Sequence, residues 1–393
     1  MSFDIAGNFH DKAWLETVAS KLHRKMVYAV GKAREVPYIP YTTSNGQWKE
    51  NDISWWTNGF WPAVMWQMYM STQDPLFHEE AVRTEKLLDE ALAQYDVLSH
   101  DVGFMWLIHS GVRFALEHQQ ESYDRTMRAA QHQACRFNPN GFIRAWNGAG
   151  QEGWAIIDCM MNLPLLYWAS RQTGDPRFEL IAMRHADTSM RAFVRADGSC
   201  NHIVVFNPLT GEMLDNPGGQ GYASGSSWSR GQAWALYGFV LSYLCTGKQE
   251  YLETSKRVAH YFITNIPEDG IVDCDFRQPA FPEVKDTAAG AIAASGLLEL
   301  ARCVPELEGQ SYFRAAVRML YSMEKSCINW EEDDPALLTK CTSAYHDISG
   351  RHITMVYADY FFIEAIHKLR GETGLAWIPD VAQVTEPIIR SVQ

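Results

Sequence analysis

Three familiar kinds of signal are missing from this chain of 393 residues. The eight cysteines stand singly with no CxxC pair, a usage that predicts reduced, mostly buried thiols of a cytoplasmic protein. No run approaches the roughly 18 apolar residues that span a bilayer. The start MSFDIAGNFHDKAW lacks both a basic and an apolar segment, so we expect neither a signal peptide nor membrane contact.

Positive charge is also scarce and never clustered. The formal net charge is -13, which excludes a protein that wraps nucleic acid. A few placed Arg or Lys residues can still bind a small anion. No stretch rich in Pro, Gly or Ser separates two parts of the chain, so the sequence predicts one domain over residues 1–393.

Aromatic residues are abundant, with 14 Trp, 17 Tyr and 18 Phe. An indole offers a broad apolar face and one N–H donor, which suits the apolar faces and hydroxyl edges of sugar rings. A large helical core also consumes Trp as filler, and that interpretation fits most of the fourteen.

Helical patterns alternate between two kinds along the chain. Five amphipathic segments begin at Asp74, Gln120, Asp175, Lys248 and Gly309. Each follows a helix that is apolar on nearly every side, within 59–72, 101–116, 162–174, 231–247 and 287–304. A helix that is apolar all round must be buried all round. A sixth apolar segment, 357–371, ends the series, and the amphipathic segment 12–32 can cover it.

Six buried helices alternating with six amphipathic ones predict an all-α fold, the (α/α)6 barrel, with six inner and six outer helices. Strands are limited to short β-hairpins, such as one at 200–208. Connections from an inner to an outer helix are short, whereas those leading to the next inner helix are long. Long loops usually carry function, so we expect the site at the N-terminal ends of the inner helices.

Asp158 is the most unusual residue at these helix starts, because it stands in the apolar run GWAIIDCMMNLPLLYWAS. Pro164 would interrupt a helix that began at Asp158, so an N-cap role fits poorly and a functional role is favoured. Asp101 is equally compatible with a cap and with a functional role. Asp286 fits a helix cap better.

Four motifs, SWWTNGFWPAVMW, HDVGFMW, IIDCMMNLPLLYWAS and SSWSRGQAWALYG, resemble those of the unsaturated glucuronyl hydrolases, glycoside hydrolase family 88. The resemblance runs in order through nearly the whole chain and implies the (α/α)6 barrel. It also implies release of an unsaturated uronic acid from the non-reducing end of oligosaccharides made by polysaccharide lyases. The implied chemistry is hydration of the C4=C5 vinyl ether, after which the hemiketal opens and expels the aglycone.

The same resemblance assigns roles to particular residues. Asp158 becomes the acid and base, assisted by Asp101. The implied substrate-binding residues are Trp55, His202, Gln220, Trp228, Arg230 and Trp234. No cofactor or metal is expected. The partner is an unsaturated di- or oligosaccharide, bound by a monomer or homodimer; neither the glycan nor the role of the 340–355 loop follows from the sequence.

Three other functions are compatible with these residues. A hydrolase of unsaturated rhamnogalacturonan fragments would share barrel and chemistry, although SSWSRGQAW argues against it. An inverting glycosidase on the same barrel would also use two carboxyl groups. A non-catalytic sugar-binding barrel would keep its function without Asp158.

Overall fold

The computed structural model describes residues 3–94 and 96–372. Its inner helices are α3 (Phe60–Thr72), a π-helix (Gly103–Gly111) continued by α6 (Val112–Glu117), α8 (Leu163–Thr173), α10 (Ser229–Thr246), α12 (Thr287–Arg302) and α14 (Val356–Leu369). The helices outside them are α2 (Lys12–Ala33), α4 (Pro75–Leu87), α7 (Gln120–Cys135), α9 (Pro176–Ala192), α11 (Gln249–Thr264) and α13 (Glu306–Ser326). Two short α-helices, α1 (Ile5–Asn8) and α5 (Asp89–Ala93), and three 3₁₀ helices, Trp56–Gly59, Ile157–Met161 and Ile348–Gly350, are also present among these residues.

The inner helices form a closed ring. Each packs on the next in chain order, and α14 packs on α3. One hydrophobic cluster extends through this ring from Phe3 to Leu369. The predicted (α/α)6 barrel is confirmed.

Tight turns join the first five inner helices to the outer helices that follow them. Four inner helices end on a residue with left-handed backbone, namely Gln73, His118, Gly174 and Gly247. That conformation closes the last helical turn and redirects the chain. In α4 and α9, an Asp caps the outer helix and a Pro occupies its first turn, as helix starts favour.

The opposite end of the barrel carries the long loops and all the strands among the described residues. Two strand pairs are minimal, β1 (Thr43–Ser44) with β2 (Gln47–Trp48) and β3 (Phe137–Asn138) with β4 (Phe142–Ile143). The predicted hairpin is β6 (Ile203–Phe206) with β7 (Met213–Asp215), and β5 (Trp154–Ile156) pairs with β6 as a third strand. The sequence did not predict β5, which leads directly into the segment that carries Asp158.

Candidate active site

Asp158 lies on a 3₁₀ turn, Ile157–Met161, between β5 and α8. Pro164 stands in the first turn of α8, so Asp158 is outside that helix, as the position of the proline predicted. The residue is 8% exposed, and its Oδ1 has no hydrogen-bond partner among the described residues. Burial first, and then the charge of Asp101, raise the pKa of Asp158 to about 7, against the opposing effects of Arg230 and Trp234.

Asp101 directly precedes the second inner helix and is held more firmly than Asp158. Its Oδ2 accepts a hydrogen bond from Ser99 Oγ at 3.1 Å, and its Oδ1 accepts one from Asn162 Nδ2 at 3.2 Å. Burial raises the pKa of Asp101 to about 6, while these two donors and the charge of Arg136 oppose the rise. The two carboxyl groups therefore influence each other and together titrate near neutrality.

His202 faces Asp158 across 3.6 Å, measured from Nε2 to Oδ1. The backbone N–H of Gln220 donates to its Nδ1 at 3.0 Å, so the neutral ring carries its proton on Nε2. Burial and the charge of Arg230 lower the pKa of His202 to about 3. Trp228 packs against this ring with a centroid distance of 4.3 Å, and its own Nε1 is unpartnered among the described residues.

Arg230 is deeply buried, at 1% exposure. Its guanidinium pairs with Asp286 at 3.1 Å and donates to the carbonyls of Thr342 and Ser343 at 2.8 and 2.7 Å. Asp286 also caps α12, as predicted, by accepting from the backbone N–H of Ala288. Much of the hydrogen-bonding capacity of Arg230 thus serves to hold the 342–343 segment at the mouth.

The three remaining predicted residues occupy different depths. Trp234 is fully buried in α10 below Asp158. Gln220 is half-buried, and its side chain donates to the carbonyl of Ser343 at 2.6 Å. Trp55 is 44% exposed and meets the ring of Tyr41 edge-on, so it presents an indole face at the rim.

Asn162 is a site residue to which the sequence assigned no role. Its Nδ2 donates to Asp101 and, at 3.3 Å, to the carbonyl of Asp158, while its Oδ1 accepts from the backbone N–H of Phe104 at 2.8 Å. One amide therefore connects both carboxyl-bearing segments. The signal was its fixed place in IIDCMMNLP, four residues after Asp158.

Among residues 3–94 and 96–372, no group of three or more His, Cys, Asp or Glu side chains could hold a metal ion. In the same residues, no helix is long and apolar enough to cross a bilayer.

A carboxyl group of raised pKa, a second carboxyl beside it and surrounding indoles suit acid–base chemistry on a carbohydrate. On this barrel, they define a glycoside hydrolase. The chain belongs to glycosyl hydrolase family 88, whose sequence pattern matches residues 25–273.

Relatives of known sequence and structure cover most of the chain. It is 36% identical over 336 residues to the unsaturated glucuronyl hydrolase of Bacillus sp. (strain GL1), covering 82% of this chain and 89% of that one. The crystal structure of the unsaturated glucuronyl hydrolase from Bacillus sp. GL1, responsible for degradation of glycosaminoglycan, superposes with a TM-score of 0.86 at 32% identity, covering 91% of this chain and 98% of that one.

A second solved structure contains a sugar. It is a variant of the unsaturated glucuronyl hydrolase of Streptococcus agalactiae complexed with dGlcA-GalNAc6S. It superposes with a TM-score of 0.79 at 27% identity, covering 93% of this chain and 94% of that chain.

Proposed function

We propose that the protein is an unsaturated glucuronyl hydrolase, which releases 4-deoxy-4,5-unsaturated glucuronic acid from the non-reducing end of lyase-generated oligosaccharides. The observation that supports this most strongly is the buried carboxyl of Asp158, whose Oδ1 has no hydrogen-bond partner among the described residues and whose pKa is raised to about 7. An acid that still holds its proton near neutrality can donate it to carbon.

Asp158 acts twice in this proposal. Its proton goes to C4 of the vinyl ether, and the positive charge that develops is shared by C5 and the ring oxygen. The Asp158 carboxylate then takes a proton from water as the water oxygen bonds to C5. The resulting hemiketal opens to a C5 ketone, and the hemiacetal at C1 releases the aglycone as an alcohol. One water molecule is consumed, and Asp158 regains its proton.

The neighbouring residues have separate roles. Asp101 supplies negative charge that favours the protonated form of Asp158. His202 Nε2–H and Trp228 Nε1–H are buried donors without partners among the described residues, available to oxygens of the sugar. Arg230 attracts the substrate carboxylate by its charge and holds the Ser343 segment with Gln220, and Trp55 stacks on a sugar at the rim.

The substitution Asp158→Asn removes the carboxyl group that we propose as the acid. An amide cannot protonate C4, so we expect turnover of an unsaturated disaccharide to fall by about a hundredfold or more. Binding of the same disaccharide should be retained, as measured by calorimetry. Asp215→Asn, an exposed aspartate at the end of β7, is the matched control and should keep wild-type turnover. Full turnover by the Asp158 variant would contradict its role and favour a non-catalytic sugar-binding barrel.

Isotope labelling separates hydration from displacement at C1. In D₂O, the proposed reaction places deuterium on C4 of the product, and mass spectrometry and NMR can locate it. An ordinary glycosidase would leave C4 unlabelled and the double bond intact. A panel of unsaturated chondroitin, hyaluronan, heparin, gellan and rhamnogalacturonan fragments, assayed by loss of the conjugated chromophore, then gives the preferred glycan.

A further inference from the structure

A second histidine lies directly behind the carboxyl pair. His100 is fully buried, and neither of its ring nitrogens has a hydrogen-bond partner among the described residues. Its Nε2 lies 3.4 Å from Asp101 Oδ1. Buried polar groups rarely stay unpaired without a reason, and the function proposed above uses neither nitrogen of this ring.

The surroundings of His100 determine its protonation state. Burial and the charge of Arg136 lower the pKa of His100 to about 3, so the ring is neutral at working pH and carries one N–H. A lone pair on Nε2 would face the carboxylate oxygen of Asp101 and be repelled by it, whereas an Nε2–H is attracted.

His185 is a further buried histidine close enough to His100 for the charge of His100 to lower its pKa. Its Nδ1 accepts from the backbone N–H of Ile143 at 3.0 Å, so the neutral ring carries its proton on Nε2. That nitrogen is unpartnered among the described residues. The tautomer of His100 is set by the 3.4 Å approach of its Nε2 to Asp101 Oδ1.

We propose that His100 is a positioning residue, whose Nε2–H holds Asp101 as a carboxylate and so keeps the proton of the pair on Asp158. The proposal rests on the function proposed above, because it assigns the division of roles within that site. Without this donor, Asp101 would compete with Asp158 for the proton, and fewer molecules would carry it on the residue that faces the substrate.

Several other groups act on this pair of residues. The charge of Arg136 lowers the pKa of Asp101, and the charge of Asp101 raises the pKa of Asp158 and of the Cys159 thiol. His100 lies 3.4 Å from Asp101 and interacts electrostatically with Arg136, His185 and His202. Because one residue changes in the experiment below, these groups stay common to both variants.

The experiment compares His100→Met with His100→Gln. The two side chains are similar in length and volume, but only Gln places an N–H donor near the former Nε2. In the Met variant, we expect kcat to fall by about tenfold or more with KM within about twofold. Its pH profile of kcat should narrow, because the acid limb moves up as Asp101 protonates more readily and the alkaline limb moves down as Asp158 loses its proton more readily. The Gln variant should restore the width.

His109→Met is the control for loss of a buried histidine. His109 is fully buried in the π-helix beside Glu85, so its loss should lower stability without narrowing the profile. A His100→Met profile as wide as that of wild type would overturn the proposal, and so would an equal narrowing in His100→Gln. A wild-type enzyme that fails to turn over any unsaturated disaccharide would instead refute the proposed function.

A measurement on the wild-type protein does not depend on how the variants fold. Nitrogen NMR of histidine-labelled protein distinguishes the two neutral tautomers, and the His100 signal is the one missing from His100→Gln. A proton on Nε2 supports the proposal. A proton on Nδ1 overturns it.

Discussion

At the scale of single residues, the burial that makes Asp158 an acid also weakens the fold. The pKa of Asp158 is about 7 in the folded protein, against an ordinary value of 3.8. Between these values, the folded state binds more protons than the unfolded state, so the free energy of unfolding falls as pH rises through this window. The contribution is most favourable below about pH 4 and least favourable above about pH 7.

Asp158→Asn should therefore stabilise the protein at alkaline pH. The variant carries no charge to bury, so its advantage over wild type should grow from pH 5 to pH 8, to on the order of 2–4 kcal/mol. Denaturant unfolding at the two pH values measures it. Asp347→Asn is the control: hydrogen bonds from Ser349 and Ser343 lower the pKa of Asp347, so its carboxylate is ionised at both pH values and the variant should differ from wild type by the same amount at each. An Asp158 variant whose advantage is the same at both pH values would show that its ionisation is not a cost to folding.

The position of Asp158 outside α8 could be predicted from the sequence, because it depends on a residue close by in the chain. Pro164 lies six positions after Asp158 and alone placed that carboxyl outside α8. The roles assigned to the eight site residues stay predictions. The burial of Arg230 was beyond reach, because its partners Asp286, Thr342 and Ser343 are more than fifty positions away in the sequence.

At the scale of elements, close helix contacts hold in place the 3₁₀ turn that carries Asp158. A Cβ added to Gly238 in α10 would lie 2.5 Å from Met160 Cβ and 2.8 Å from its carbonyl carbon. Met160 belongs to the same 3₁₀ turn as Asp158. The absence of a side chain at position 238 therefore lets an inner helix support the acid directly.

In Gly238→Ala, the added methyl group should clash with Met160 and displace the 3₁₀ turn that carries Asp158. We expect a loss of about 1–3 kcal/mol in the free energy of unfolding and a fall in kcat, because a small displacement of the acid costs turnover. Gly31→Ala in α2 is the matched control: a Cβ there meets nothing within 4 Å, and alanine should stabilise the helix by up to about 1 kcal/mol. Equal kcat in both variants would show that the packing at Gly238 does not position Asp158.

Helix periodicity predicted the inner and outer elements but not their fine structure. The segment 101–116 was expected to be an ordinary inner helix, whereas Gly103–Gly111 is a π-helix. A segment that is apolar on all sides looks alike at either pitch, so the pattern cannot separate them. The start of this π-helix is held by a tertiary contact, because the backbone N–H of Phe104 donates to Oδ1 of Asn162, a residue outside the helix.

At the scale of the whole molecule, a buried ionic network ties the inner helices together near their C-terminal ends. Lys368 of α14 contacts Glu299 of α12 at 3.1 Å and Glu364 at 3.2 Å, and donates to Tyr237 of α10 at 2.7 Å. Lys368, Glu299 and Glu364 are each at most 4% exposed. The network lies at the opposite end of the barrel from the site.

Lys368→Met should leave Glu364 without its cation and Glu299 with Arg302 alone. We expect a loss of about 3–5 kcal/mol in the free energy of unfolding, with KM and kcat unchanged at temperatures where the variant is folded. Chemical denaturation and steady-state kinetics test the two parts. Lys32→Met removes a surface pair with Glu35 and should leave the unfolding midpoint almost unchanged. Altered kcat in folded Lys368→Met would show that the two ends of the barrel are coupled.

The ring of six helix pairs could be predicted because each pair repeats one pattern. The three-stranded sheet could not, because β5 joins β6 across nearly fifty residues that include two helices. Pairing over such a separation leaves no local trace in either strand. The single domain over residues 1–393 stays a prediction.

The closure of the ring by α14 on α3 has a consequence for synthesis on the ribosome. Asp101 and Asp158 emerge early, but the carbonyls that anchor Arg230 belong to Thr342 and Ser343. The helix that closes the ring follows them, at Val356–Leu369. A nascent chain therefore carries both carboxyl groups of the proposed site long before it has a complete pocket. Activity should appear abruptly, once the last inner helix has left the exit tunnel.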